Sequence, residues 1–152
     1  PDERGIRIRI WDAVTGEQIK EITRAHDRTI VCVRWSPDGQ RLATAGMDQR
    51  VKVWDVNTGK QLWQTATQNT AWSVSWSPDG RRLATGSDDC SVKIWDASSG
   101  RKLFTLQGHE LSVNCVRWSP DGRQLASGSR ELASGSMVGI RVCGPASDEV
   151  HP

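Results

Sequence analysis

Trp35-Ser36-Pro37-Asp38-Gly39-Gln40-Arg41-Leu42-Ala43-Thr44 returns as Trp76-Ser77-Pro78-Asp79-Gly80-Arg81-Arg82-Leu83-Ala84-Thr85, and again as Trp118-Ser119-Pro120-Asp121-Gly122-Arg123-Gln124-Leu125-Ala126-Ser127. The copies begin 41 and then 42 residues apart. In each, Pro presets the corner of a turn and Gly is free to take positive φ, so Ser-Pro-Asp-Gly reads as the tip of a hairpin. The β-rich run Ile30 to Trp35 enters the first turn, and the small and branched residues Leu42 to Ala45 leave it.

A second series runs in phase with the first. Ile10-Trp11-Asp12 recurs as Val53-Trp54-Asp55 and Ile94-Trp95-Asp96, so the repeat accounts for six of the eight tryptophans. A period of ~40 to 45 residues closing on Trp-Asp marks a four-stranded propeller blade, not a helical solenoid. The other strands of the first full copy are Arg50 to Trp54 and a more polar run, Gln61 to Thr65, suited to an outer edge. The middle copy repeats this from Ala71 to Leu106. The expected fold is all-β: antiparallel four-stranded blades in an incomplete ring. Its divisions are the end of a preceding blade (1–16), two repeats (17–55 and 56–96), a degenerate repeat (97–144) and a mobile tail (145–152).

The composition is globular, and 20 basic residues against 18 acidic leave a net charge of +2, too small and too dispersed to argue for a phosphate backbone as partner. No signal peptide or spanning stretch is visible, so neither nucleic acid nor membrane is expected as a partner. Cys32, Cys90, Cys115 and Cys143 form no Cys-x-x-Cys pair, and Cys32 and Cys115 share a register that places them as small buried apolar thiols in a reducing compartment. The setting read from this is cytoplasmic, with the nucleus open as well.

Blades of this composition are apolar on both faces: Val33 and Trp35 point one way and Cys32 the other. A single blade cannot hide both, so neighbours must stack on it, in rings of typically ~4 to 8. Two whole blades, the last half of an earlier one and three strands of a damaged one fall short of such a ring, and the chain starts at Pro1 directly before a strand. The remaining blades of a longer chain, or self-association, are the expected complement.

The residues at fixed offsets from each Trp resemble those of the WD-repeat β-propeller family over residues 6 to 129. The resemblance implies a buried hydrogen-bond tetrad of His, Ser or Thr, Asp and Trp, which the first full copy supplies as His26, Thr44, Asp48 and Trp54. An indole N–H can only donate, a hydroxyl can accept and pass the bond on, and imidazole can relay it to a carboxylate. The middle copy keeps Thr85, Asp89 and Trp95 but has Thr67 in the place of His, which breaks one link and predicts faster amide exchange in that blade. The third copy has His109 and Ser127, then stutters: Leu125-Ala126-Ser127-Gly128-Ser129 is followed by Leu132-Ala133-Ser134-Gly135-Ser136, with Glu131 nearest to the tetrad acid. Cys143 and Gly144 stand where Trp and Asp belong, and poor order is expected after about residue 129.

No nucleophile with its base, metal cluster or phosphate loop is visible, so no catalytic residue, metal or cofactor is expected, and His26 and His109 read as structural. What the resemblance implies instead is binding of a protein or peptide on the rim. Its contact positions map to Thr29, Val31 and Met47, to Thr70, Trp72 and Asp88, and to Ser112, Asn114 and Arg130. Trp72 stands out because its counterparts are Val31 and Asn114, so the repeat does not demand an aromatic there; filling a gap against the neighbouring blade is the alternative reading. Trp63 and Phe104 read as covers of the outer edge, and Lys52, Lys93 and Arg141 as solvated or stem-packed strand positions. The function expected is a non-catalytic interaction scaffold. A C-terminal sensor segment of a larger signalling NTPase or kinase, or a degenerate non-functional repeat fragment, are the alternatives.

Overall fold

The computed structural model describes residues 5–129 and the strand at 139–143. The stutter, Glu131, Arg130, Gly144 and the tail, together with the side chain of Cys143, lie outside the described residues.

Thirteen strands in chain order build the described fold, which contains no helix. Strands β1 (Ile6–Trp11) and β2 (Gln18–His26) form a two-stranded sheet. Strands β3 (Ile30–Trp35), β4 (Arg41–Gly46), β5 (Arg50–Asp55) and β6 (Gln61–Ala66) form the first complete blade, paired antiparallel in sequence order. Strands β7 (Ala71–Trp76), β8 (Arg82–Ser87), β9 (Val92–Asp96) and β10 (Lys102–Leu106) form the middle blade. A third sheet holds β11 (Val113–Trp118), β12 (Leu125–Ser129) and β13 (Gly139–Cys143).

Serine and aspartate set each Trp-Ser-Pro-Asp-Gly turn. In the first, Ser36 Oγ accepts the amide of Arg41 at 2.9 Å, Asp38 Oδ1 accepts that of Gln40 at 3.0 Å, and Gly39 sits at φ 69°. The Ser77 and Ser119 turns repeat this bond for bond, with Ser77 accepting from Arg82 and Ser119 from Gln124, both at 2.9 Å. The serine hydroxyl, helped by the turn amide, holds the Asp38, Asp79 and Asp121 carboxyls below the ordinary carboxylate range.

The cores lie between blades. One cluster joins Ile8, Ile10, Ile22 and Ala25 of the first sheet to Leu42 and Trp54 of the next. A second joins Cys32, Ala45, Val51 and Val53 to Ala71, Val74, Trp76 and Trp95. A third joins Ala84, Val92 and Ile94 to Val113, Val116 and Leu125. The two complete blades each bury their two faces in different neighbours, as stacked pleated units must. The arrangement has open ends, where Val33 (38% exposed) and Trp35 (50% exposed) on β3 face no neighbouring sheet among the described residues.

Polar clamps accompany the packing. Trp76 Nε1 donates to the Arg34 carbonyl at 3.2 Å while the Arg41 guanidinium lies 4.7 Å over the Trp76 ring and donates to the Gly80 carbonyl at 3.0 Å. Trp63 does more than cover an edge: its Nε1 donates to the Ala97 carbonyl of the next blade at 3.0 Å, and its ring lies so close to Gly100 that an added Cβ there would stand 2.6 Å from it. On the opposite flank of the middle blade the clamps are hydroxyls, with Ser73 and Ser75 accepting the amides of Val116 and Trp118, each at 3.3 Å.

Two expectations need correction. Cys32 is buried, but Cys115 in the same register is exposed, because the face of β11 that carries it has no neighbouring blade among the described residues. Lys52 and Lys93 are buried rather than solvated, since their ammonium groups find acceptors inside: Lys52 Nζ donates to the Ala25 carbonyl at 2.7 Å, and Lys93 Nζ to Asp89 and Ser91.

Candidate rim site and its supporting network

Under each rim turn lies a buried polar network. In the first blade, Trp54 Nε1 donates to Thr44 Oγ1 at 2.9 Å. Nδ1 of His26 faces the Asp48 carboxylate and so carries the proton of the neutral ring, which leaves Nε2 to accept the Thr44 hydroxyl proton over 2.7 Å. Nδ1–H donates to both Asp48 oxygens at 2.9 Å. Asp48 also accepts the amides of Asp27 and Arg50, each at 3.2 Å. Burial lowers the pKa of His26 despite the opposing pull of Asp48, which agrees with a neutral ring. Burial raises that of Asp48, but the bonds from His26 and the Asp27 amide outweigh it, and the net direction is down.

The network dictates a glycine. A Cβ on Gly46 would stand 2.6 Å from both His26 Nδ1 and Asp48 Oδ1. In the middle blade, where Thr67 replaces the histidine, the equivalent position is Ser87, so the crowding has gone and a side chain fits.

There Trp95 Nε1 still donates to Thr85 Oγ1 at 2.9 Å, but the chain of bonds goes no further in the same direction. Thr67 Oγ1 donates to the Asn69 carbonyl at 2.7 Å. Asp89 turns away to Lys93 and to Ser91 Oγ, 2.6 Å off, and Ser87 Oγ is left buried with no partner among the described residues. Burial pushes the Asp89 carboxyl up, but the bonds from Lys93 and Ser91 carry it below the ordinary range. In the third blade His109 bonds Ser127 Oγ at 2.8 Å through Nε2, and Ser129 Oγ at 3.1 Å through Nδ1. Ser129 occupies the Gly46 position and bonds the ring nitrogen that Asp48 bonds in the first blade.

These turns carry the rim residues. The amide of Met47 donates to the Thr29 carbonyl at 2.9 Å, and that of Asp88 to the Thr70 carbonyl at 3.0 Å, so the loop before each inner strand is tied to the turn between the second and third strands. Thr29, Met47, Asp88 and Asn114 are exposed, and Val31, Thr70, Trp72 and Ser112 are half-buried. Trp72 Nε1 donates to Asp88 Oδ1 at 2.5 Å. Val31 packs on the cluster between the first and middle blades, whereas Trp72 joins none of the three clusters. Sequence reasoning missed that Trp72 and Asp88 bond each other; their occurrence at adjoining rim positions of one blade was the available signal. Among the described residues no group of three or more His, Cys, Asp or Glu is placed to hold a metal ion, and no helix is long and apolar enough to cross a membrane.

Comparison with known proteins follows the repeat. The sequence model for "WD domain, G-beta repeat" matches residues 16–55, 60–96 and 100–136. WD repeat-containing protein 1 of Mus musculus is 42% identical over 53 residues, which cover 34% of this chain and 9% of that protein. GATOR2 complex protein WDR24 of Xenopus laevis is 35% identical over 54 residues, covering 35% of this chain and 7% of that protein. The U3 small nucleolar RNA-associated protein 15 homolog of Homo sapiens is 32% identical over 56 residues, covering 37% and 11%. Each match thus spans about a tenth of the relative's own length. The solved structures of U3-55K and of the RRP9 WD40 repeats each superpose with a TM-score of 0.67 at 27% identity, covering 69% of this chain and 34% of theirs. With the family's repeat matched three times over most of the sequence, on sheets that stack as blades, the chain belongs to the WD-repeat family.

Proposed function

We propose that this chain is a non-catalytic protein–protein interaction scaffold, the part of a WD-repeat propeller that offers a rim to a protein or peptide. The contact residues are Thr29, Val31 and Met47 on the first blade, Thr70, Trp72 and Asp88 on the middle one, and Ser112 and Asn114 on the third. The tetrad residues His26, Thr44, Asp48 and Trp54, with Thr85, Asp89, Trp95, His109 and Ser127, act beneath it as structure. The observation that carries this reading is Trp72: a half-exposed indole on the rim, outside every interblade cluster, with its N–H tethered to Asp88. Preset aromatic side chains of this kind are frequent hot spots of recognition. A relative described as a complex protein, and another described as associated with a small nucleolar RNA, are in keeping with work inside assemblies. The second of these names puts a nuclear setting beside the cytoplasmic one.

Capture experiments with immobilised wild-type, Trp72→Ala and Leu62→Ala protein test the reading, with circular dichroism verifying that each is folded. Leu62 is an exposed residue of the outer edge and serves as control. The Trp72→Ala protein should lose proteins that the wild type and the control both retain. A folded Trp72→Ala protein that captures the full wild-type set removes the rim reading.

A further inference from the structure

Charge is sorted along the middle blade. At the end away from the rim, beside the turns after Trp76 and Trp95, Arg81, Arg82, Arg101 and Lys102 are all exposed. At the rim end, residues 67–72 and 87–91, with the facing 107–114 of the third blade, include Asp88, Asp89 and Glu110 but no arginine or lysine. Lys93, further along β9, is buried and engaged by Asp89 and Ser91. That leaves Asp88 and Glu110 as exposed carboxylates with no ion-pair partner among the described residues. The rim of the first blade is balanced by comparison, with Arg28 and Arg50 beside Asp27 and Asp48.

Asp88 is held beside an aromatic ring. The bond from Trp72 Nε1 to Asp88 Oδ1 runs along the edge of the indole, because the N–H lies in the ring plane, so the carboxylate does not cover either face of the ring. Asp88 Oδ2 takes no bond among the described residues. The amide of Asp88 is tied to the Thr70 carbonyl at 3.0 Å, which fixes the two loops that carry the pair. An indole face attracts cations, and this chain covers two others in that way: the Arg41 guanidinium lies 4.7 Å over Trp76, and Lys52 Nζ 5.7 Å over Trp54. Among the described residues no cation lies over Trp72.

We propose that the Trp72–Asp88 pair receives an arginine or lysine side chain from a basic segment of the partner. The cation lies on the indole face and donates to Asp88 Oδ2, and Glu110, on the loop before β11, strengthens the field that draws it in. Arginine suits the pair better than lysine, since a planar guanidinium stacks on an aromatic ring while its N–H groups reach a carboxylate. The selectivity is local: the chain as a whole carries a net charge of +2, which repels a basic segment everywhere else. The proposal rests on the rim reading given above and adds to it the sign of the partner's charge.

An array of short random-sequence peptides, probed with the wild type and with Asp88→Asn, Asp88→Arg and Trp72→Ala proteins whose folding is verified by circular dichroism, tests it. Peptides retained by the wild type should be enriched in arginine and lysine, against the acidic bias that a net charge of +2 alone would give. Asp88→Asn keeps an oxygen for the indole N–H and removes only the charge, so it should weaken those peptides about three- to fivefold by fluorescence anisotropy. Trp72→Ala removes the stacking face and the tether together and should weaken them about tenfold or more. Asp88→Arg should turn the preference towards aspartate and glutamate, which the loss of a merely structural carboxylate would not do. Wild-type protein that retains no peptide or shows no basic enrichment, an enrichment that survives Asp88→Arg, or affinities unchanged in Asp88→Asn or Trp72→Ala overturns the proposal. Each of these results leaves the scaffold reading standing, because that falls only if folded Trp72→Ala protein captures the full wild-type set of proteins.

Discussion

The blade carrying Trp54 and the blade carrying Trp95 have the same four strands in the same register, yet they hold their rim turns by different chemistry. In the first, a neutral histidine passes a bond from hydroxyl to carboxylate, and Lys52 is released to bridge across to the Ala25 carbonyl of the preceding sheet. In the middle blade the carboxylate is held by Lys93, which stays within its own blade. With Thr67 in the place of His26 and Ser91 in the place of Arg50, a lysine is rerouted, an aspartate turns and a glycine is relaxed. The unit that varies between repeats is the network and not the residue, because a buried polar group left without its partner costs ~1 to 3 kcal/mol.

The largest contrast lies at the position that the network makes tight in one blade and loose in the other. Gly46→Ala should destabilise the protein by about 3 kcal/mol, since the new methyl cannot coexist with His26 and Asp48 2.6 Å away and overpacking costs ~1 to 3 kcal/mol. Ser87→Ala at the equivalent site should stabilise by about 1 kcal/mol, because it removes a buried hydroxyl that has no partner among the described residues. Chemical denaturation of both variants reads the difference directly. Losses of equal size would show that the two turns are not differently built.

Acid should separate the blades next. The folded pKa of His26 lies below its ordinary 6.5 because burial disfavours the charged ring. Below pH 6.5 the unfolded chain binds a proton that the first blade refuses, so the stability that the blade draws from a neutral His26 is present above that pH and lost as pH falls through the folded value. The middle blade has no such group: Asp89 has a folded pKa below 3.8, and its contribution is lost only under that pH. Amide exchange resolved by strand should show β3–β5 losing protection as pH falls below 6.5 while β7–β9 hold. At neutral pH, β7–β9 should already be the slower set, which reverses the expectation drawn from Thr67 alone. Burying a tryptophan removes ~150 to 250 Å², so leaving half of Trp35 open forfeits ~2 to 3 kcal/mol at ~25 cal/mol per Å², more than one net hydrogen bond of ~1 kcal/mol. The middle blade, by contrast, is covered on both flanks.

The strand order and blade register were legible because both are written in local chemistry. Ser36, Asp38 and Gly39 fix a turn from within five residues, and the apolar alternation that follows has no other face to bury. The donor and acceptor logic of His26, Thr44, Asp48 and Trp54 was legible for the same reason, since the indole can only donate and the carboxylate only accept, which leaves the hydroxyl and the imidazole to relay between them. What could not be read was where the neighbours are. Cys32 and Cys115 are the same residue in the same register, one buried and one exposed, and only the presence or absence of a covering sheet tells them apart. The rerouting of Lys93 was hidden too, because Lys52 and Lys93 share a strand register and diverge through residues outside it, Thr67 in the place of His26 and Ser91 in the place of Arg50.

The smallest effect follows from the third blade, which shows how a histidine behaves beside a serine in the Gly46 register: His109 bonds Ser129 Oγ at 3.1 Å and Ser127 Oγ at 2.8 Å. Thr67→His sets up the same triangle in the middle blade, with Thr85 in the place of Ser127 and Ser87 in the place of Ser129. The imidazole would give Ser87 Oγ the partner it lacks and leave the Asp89–Lys93 pair untouched, at the loss of the Thr67 bond to the Asn69 carbonyl. One fully buried hydroxyl is satisfied and one part-buried bond is given up, so the net gain should be no more than about 1 kcal/mol. The gain should vanish in Thr67→His/Ser87→Ala, where the histidine keeps Thr85 but has no second hydroxyl to meet, and a double-mutant cycle measures that coupling. A coupling of zero would mean that the imidazole takes the route of His26 to Asp89 instead, with Lys93 displaced, and that the two complete blades differ by one residue rather than by two alternative networks.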